Sequence, residues 1–163
     1  MTTFIIGILS FLLAIFPSCG LLLAPYQSLT FPGEEVITEE IMNAIDSKDI
    51  AALEAMMSSK LKQSVKDLRG EIGAITAAID GKIVDYSWNG ATIYDEANFG
   101  KRISRRTWEI KFDTAAKSYS LYISWVIVDN RTPDEVGMYS MILLDPELSG
   151  TDNSVLAKVP ASS

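Results

Sequence analysis

At Lys82 the spacing of apolar residues changes from about 3.6 to 2, the step from helix to strand, and this fixes the order of the fold. Before Lys82 the apolar positions recur every three or four residues. Ile37, Ile41 and Ile45 mark one amphipathic helix over Glu34 to Asp46, with Glu34 and Glu35 in its first turn, where the helix dipole favours acids. Asp49 is a capping residue for a second helix carrying Ile50, Leu53, Met56 and Met57. A third pattern, Leu61, Val65, Leu68, Ile72, Ile75 and Ile79, runs from Lys60 to Asp80 with an expected interruption near Gly70.

After Lys82 β-branched and aromatic residues alternate with polar ones. Val84, Tyr86 and Trp88 share one face of the first strand, and Asn89-Gly90 bends the chain before Ala91 to Tyr94 continues it. Asp95 to Lys101 reads as a loop. Arg102 to Asp113 sets Trp108, Ile110 and Phe112 against Thr107, Glu109, Lys111 and Asp113. Thr114 to Lys117 turns into Ser118 to Asp129, where Tyr119, Leu121, Ile123, Trp125 and Ile127 form the apolar face. Asn130 to Glu135 is a polar turn, and Val136 to Leu144 is apolar on both faces, as in a strand covered on both sides or used at an interface. Helices first and a meander second is an α+β fold, with N-terminal helices on a curved antiparallel sheet.

The first 33 residues, Met1 to Gly33, hold no charged side chain and the only cysteine, Cys19. The apolar run Phe4 to Ala24 approaches the length of a membrane-spanning helix. Pro17 and Gly20 interrupt it, leaving Phe4 to Phe16 as the apolar core of a signal peptide and Ser18 as a cleavage point. This resembles a bacterial lipoprotein signal, in which a small residue precedes a cysteine that becomes the acylated mature terminus. The pattern departs from the family's at Phe16 and Pro17, and Met1-Thr2-Thr3 lacks the usual cation. The alternative is a buried thiol in an uncleaved membrane helix. The resemblance implies a signal peptide over residues 1–18, a lipidation site at Cys19, a tether over 19–33, a folded domain over 34–147 and a polar tail over 148–163. It implies a protein at the extracytoplasmic face of the cell membrane, with the membrane as partner.

A lone cysteine closes no disulfide, so the domain must stand on its core. The net charge of -7 disfavours nucleic acid, which is bound through clustered cations. The chain has no histidine, the commonest transition-metal ligand and neutral-pH base. The acidic pairs Asp95/Glu96 and Asp145/Glu147 lack the spacing of a calcium loop, so neither a metal nor another cofactor is expected.

The order of three helices, a hairpin and long strands is similar to the nuclear transport factor 2-like superfamily, whose domains form a cone related to the cystatin-like fold. The segment IMNAIDSKDIAALEAMMSSKLKQ carries the resemblance best, within a span from Glu34 to Leu144. Leader and domain together look like an uncharacterised family of Gram-positive bacterial lipoproteins. That superfamily includes isomerases, dehydratases and cyclases as well as binding proteins, and fold does not choose among them. An isomerase site needs a carboxylate base inside the cone. The inward positions here offer none, since Asp85, Glu109 and Asp113 point outward. A divergent isomerase or dehydratase therefore stands second to a non-catalytic domain that binds a small ligand or a protein partner, including a second copy through the sheet.

Tyr86, Trp88, Trp108 and Trp125 are the candidate pocket aromatics, which an ordinary core would also use. Arg106, on the Trp108 face, either holds an anion at the cone mouth, stacks on an aromatic ring or is an ordinary solvated arginine at a strand end. The basic run Lys101, Arg102, Arg105 and Arg106 either touches anionic lipid or guards an edge strand from unwanted pairing.

Overall fold

The computed structural model of the chain describes residues 33–148 and 154–161. Cys19, the expected signal peptide and nearly all of the expected tether lie outside the described residues. Four helices precede six strands among the described residues: α1 Glu34–Asp46, α2 Ile50–Met56, α3 Ser59–Ser64 and α4 Leu68–Ala78, then β1 Ile83–Trp88, β2 Thr92–Asn98, β3 Lys101–Thr114, β4 Ser118–Asp129, β5 Gly137–Leu144 and β6 Val155–Val159. None of these helices is long and apolar enough to cross a membrane.

Local chemistry sets the helix starts. Asp49 Oδ1 accepts from the Ala52 amide at 2.9 Å, and Ser58 Oγ accepts from the Leu61 amide at 3.2 Å. The third helical pattern is two helices. Asp67 Oδ1 accepts from the Gly70 amide at 3.0 Å and starts α4 afresh, so the break falls at Val65 to Asp67, ahead of Gly70.

The sheet is antiparallel, in the order β1-β3-β4-β5-β6, with β2 also paired to β3. β1 pairs with the C-terminal half of β3 and β2 with its N-terminal half, so together they form one interrupted edge, as the Asn89-Gly90 bend implies. The helices cover one face. Trp108, Ile110, Phe112, Leu121, Ile123, Met141 and Leu143 project from that face onto Ile41, Ile45, Leu53, Ile72 and Ile75. Among the described residues the core runs from Ile37 to Val159. β-bulges in the β1–β3, β3–β4 and β4–β5 pairings bend the sheet around the helices.

These bulges also correct the register. The irregularity between Ile83 and Asp85 turns Val84 outward, where it is 72% exposed, and leaves Ile83 half-buried in its place. Ile127 is skipped in the pairing with β3, which ends the alternation there: Ile127 is half-buried, and the buried Val126 pairs with Arg105 outside the helix-facing core. Two other expectations are overturned. Asp95 to Asn98 is strand, because every residue from Thr92 to Asn98 has a partner on β3 and only Phe99-Gly100 is left to turn. The tail beyond Pro146 returns as β6, whose Val159 is fully buried and whose carbonyl accepts from Ser140 Oγ at 3.3 Å. Its apolar residues are too few to show a period.

One buried polar contact ties α1 to the sheet: Trp108 Nε1 donates to Thr38 Oγ1 at 3.0 Å. Thr38→Val keeps the side-chain shape and orphans the indole N–H, so it is expected to cost about 1–3 kcal/mol. Urea unfolding would show a lower midpoint for Thr38→Val and a near-normal one for Thr38→Ser, which retains the hydroxyl.

Candidate functional site

The five residues singled out as a pocket share the helix-facing side of the sheet, but in different environments. Trp108 is buried core, with its N–H used by Thr38. Trp88 and Trp125 are half-buried, opposite Ile110 and Arg106 respectively, and Tyr86 is 40% exposed on the edge strand opposite Phe112. Arg106 does face a carboxylate, and the chain itself supplies it: Arg106 Nη1 lies 3.5 Å from Glu34 Oε1 at the start of α1. The structure thus brings Arg106 and Trp125 together as cross-strand neighbours while Tyr86, opposite Phe112, stands six residues away from them along β3.

The basic run does not guard an edge. β3 lies inside the sheet, with β1 and β2 on one side and β4 on the other, so that reading is corrected. Arg105 Nη2 instead lies 3.3 Å from Glu135 Oε2, whose other oxygen accepts from Lys60 Nζ at 2.9 Å. The Arg105 guanidinium also sits 5.9 Å from the Tyr139 ring centre.

The opposite face of the sheet carries a groove of about 430 Å³. Strand pairing builds its floor in rows. Asp85 lies opposite Asp113, and Asp113 opposite Ser118; Ser87, Lys111, Ser120 and Leu144 form the next row; Glu109 and Tyr122 are paired in the third. Asp145, Pro146 and Ser154 close the end of the groove. Its chemistry is polar and acidic. Lys111 Nζ lies 3.8 Å from Glu109 Oε2, and Asp113 Oδ1 accepts from Ser118 Oγ at 2.5 Å. Burial and the neighbouring Glu109 carboxylate push the Tyr122 phenol above its ordinary range. Among the described residues no cluster of three His, Cys, Asp or Glu side chains is placed to hold a metal ion.

A fixed ion pair holds the closed end. Lys117 Nζ donates to Asp145 Oδ2 at 2.9 Å, and the Glu147 amide donates to Asp145 Oδ1 at 3.0 Å. The lysine contact holds the Asp145 carboxyl below the usual carboxylate range, against the opposing effect of burial. The same contact raises Lys117 above the usual lysine value. A depressed carboxyl stabilises the fold above its unfolded pKa of about 4 and ceases to do so as pH falls through the folded value. Lys117→Met is therefore expected to lower stability at pH 7 and to flatten its loss as the pH falls below about 4. Urea midpoints measured across that range for both proteins would check this.

The groove was partly legible. Alternation alone puts Asp85, Glu109 and Asp113 on the outward face, and the run Ser118, Ser120, Ser124 shows small polar residues at alternate positions of β4. The pairing that assembles them is not encoded in any one strand.

A model of a protein family, described as a domain of unknown function (DUF5104), matches residues 40–146, more than half of the chain. No curated protein matches it.

Proposed function

The chain belongs to the family described as a domain of unknown function (DUF5104), and from that premise we propose that it is a non-catalytic binding domain, held at the extracytoplasmic face of the membrane through lipidated Cys19. The uncharged Met1 to Gly33 leader, with Ser18 and Cys19 after its apolar core, supports the address. The order of helices and bent strands supports membership of the nuclear transport factor 2-like superfamily. The bound species is a small cationic or hydroxyl-rich molecule, and its site is the groove on the sheet face away from the helices.

One observation carries this reading. Asp85 and Asp113 oppose each other directly across β1 and β3, with Glu109 in the same groove and Lys111 as the cation among them. Like charges directly opposite in a sheet are unfavourable by themselves. A cationic or donor-rich ligand relieves that repulsion. The helix-facing side, where an isomerase would keep its base, is filled by apolar core. Among the described residues the two buried carboxylates, Asp129 and Asp145, lie at strand ends and already accept hydrogen bonds from Arg131, Thr132, Lys117 and Glu147.

Native mass spectrometry of the leader-free domain tests the reading, compared with the same sample denatured. A bound small molecule that disappears in Asp85→Asn/Asp113→Asn supports it. A bare dimer would move the function to a protein contact through the sheet, and a bound molecule retained in the double variant would place the site elsewhere. Acyl chains on a mature Cys19 peptide support the address; an intact Met1 in membrane extracts overturns it.

A further inference from the structure

The Asn89-Gly90 bend joins the two halves of the interrupted edge and puts a chemically labile peptide beside the groove. Both residues are exposed. The β1 pairing ends at Trp88 and the β2 pairing begins at Thr92, so the bend lies outside both ladders. Asn89 ties it to β3: its amide donates to the Glu109 carbonyl at 3.0 Å, and its Nδ2 donates to Glu109 Oε2 at 3.3 Å. That second bond is long and open to water, which weakens its hold on the side chain.

Gly90 removes the obstacle that protects other asparagines. The side-chain amide of an asparagine is attacked by the backbone nitrogen of the next residue, and a glycine there carries no Cβ to crowd the nitrogen and tolerates the widest range of backbone angles. Nothing lies within 4 Å of the place a Gly90 Cβ would take, so the fold leaves the bend room to rearrange. The other described asparagines lack these conditions. Asn43 sits inside α1 ahead of Ala44, and Asn98 is paired with Lys101 in the β2–β3 ladder ahead of Phe99. Asn130 precedes Arg131 and uses both ends of its amide, accepting from the Arg102 amide at 2.8 Å and donating to the Gly100 carbonyl at 2.7 Å.

We propose that Asn89 is a site of spontaneous covalent modification, converting through Gly90 to aspartate and isoaspartate and so setting a carboxylate beside Glu109 where an amide donor stood. The Gly90 nitrogen gives its proton to hydroxide and attacks Asn89 Cγ; the Cγ–Nδ2 bond breaks, ammonia leaves and a cyclic imide closes. Water then opens the ring. Opening at Cγ gives aspartate, and opening at the main-chain carbonyl gives isoaspartate, with an extra methylene in the backbone of the bend. One water enters and one ammonia leaves, with no change of oxidation state. Glu109 lines the groove and lies 3.8 Å from Lys111 Nζ. A new carboxylate beside it makes that end of the groove more negative, so the modified chain should hold a diamine more tightly. This consequence rests on the groove being the binding site; the modification itself does not.

The experiment ages the full chain in detergent at mildly alkaline and mildly acidic pH and follows its tryptic peptides by mass spectrometry. The peptide Ile83 to Lys101 is expected to gain the mass difference between an amide and an acid, sooner at alkaline pH, and to split into two products whose fragments place the change at Asn89. Gly90 lies outside the left-handed region and has open space around it, so Gly90→Ala should melt as wild type does while converting several-fold more slowly. No conversion in the native chain, equal rates in wild type and Gly90→Ala, or earlier conversion at Asn98 or Asn130 would each overturn the site. Asn89→Asp tests the consequence separately. Tighter diamine binding than wild type supports it, and unchanged binding would overturn the groove's part in it while leaving the modification standing.

Discussion

Gly137→Val is expected to destabilise the domain by roughly 4 kcal/mol, combining backbone strain with overpacking, each about 1–3 kcal/mol. Gly137 opens β5 with φ 121°, a conformation that side-chain-bearing residues rarely adopt. A Cβ there would stand 3.1 Å from the Met56 carbonyl oxygen and equally close to Ser58 N and Cα. These are backbone atoms, so no rotamer change relieves the contact. They belong to the point where the helical layer joins the sheet: the Ser58 amide donates to the Met138 carbonyl at 2.9 Å, and Met57 bridges to Met138. Native domains have a margin of only about 5–15 kcal/mol, so the loss is a large share of it. Urea unfolding should show a much lower midpoint with an unchanged slope. Gly137→Ala brings the same Cβ contact and should fall between the two.

Trp108→Ala is expected to cost about 3–5 kcal/mol, the range for removing a large buried aromatic. Trp108 is 2% exposed near the middle of β3, opposite Ile123. Its loss leaves a cavity between sheet and helices and takes away the donor that satisfies Thr38 Oγ1. A fall in melting temperature on the order of 10 °C should follow. Trp108→Phe refills most of the space and loses only the N–H, so a drop close to that of Thr38→Val is expected. That comparison separates packing from the hydrogen bond. The same result bears on function, since a tryptophan lining a ligand pocket could be truncated at far smaller cost to the fold.

The helical layer was readable from its apolar spacing, while the division of the third pattern into α3 and α4 was not, since the new start rests on the Asp67 side-chain cap rather than on a change of period. The long strands β3 and β4 were readable over Trp108 to Phe112 and Tyr119 to Ile123, where alternation is strict and both faces differ. Register failed at Val84 and Ile127 because a bulge inserts one residue, and nothing in the composition of a strand announces it. β6 escaped because five residues beside a polar stretch carry too short a pattern. The turn at Phe99 escaped for a different reason: glycine or asparagine marks such turns, and a phenylalanine in the left-handed position reads as loop interior.

The candidate site was legible residue by residue and not as a site. Asp85, Glu109 and Asp113 were correctly assigned to the outward face, where carboxylates ordinarily meet only water. Their convergence around Lys111, Ser120 and Tyr122 arises from the pairing of β1, β3 and β4 and from the closing of one end by Asp145 and Pro146. Arg106 shows the converse. Its face was assigned correctly, yet its partner Glu34 comes from the far end of the sequence and answers the charge that an anionic ligand was expected to meet.

The central claim, that the outward groove is the binding site, is tested most directly by titrating the ¹⁵N-labelled domain with small probes of three kinds: an aliphatic diamine, a polyol and a dicarboxylate. The account predicts that diamine or polyol moves the amides of Ser87, Lys111, Ser120 and Tyr122, and that Asp85→Asn/Asp113→Asn suppresses the diamine response. Shifts confined to Arg106, Trp125 and Glu34 with the dicarboxylate, or no response around Lys111 to any probe, would contradict it.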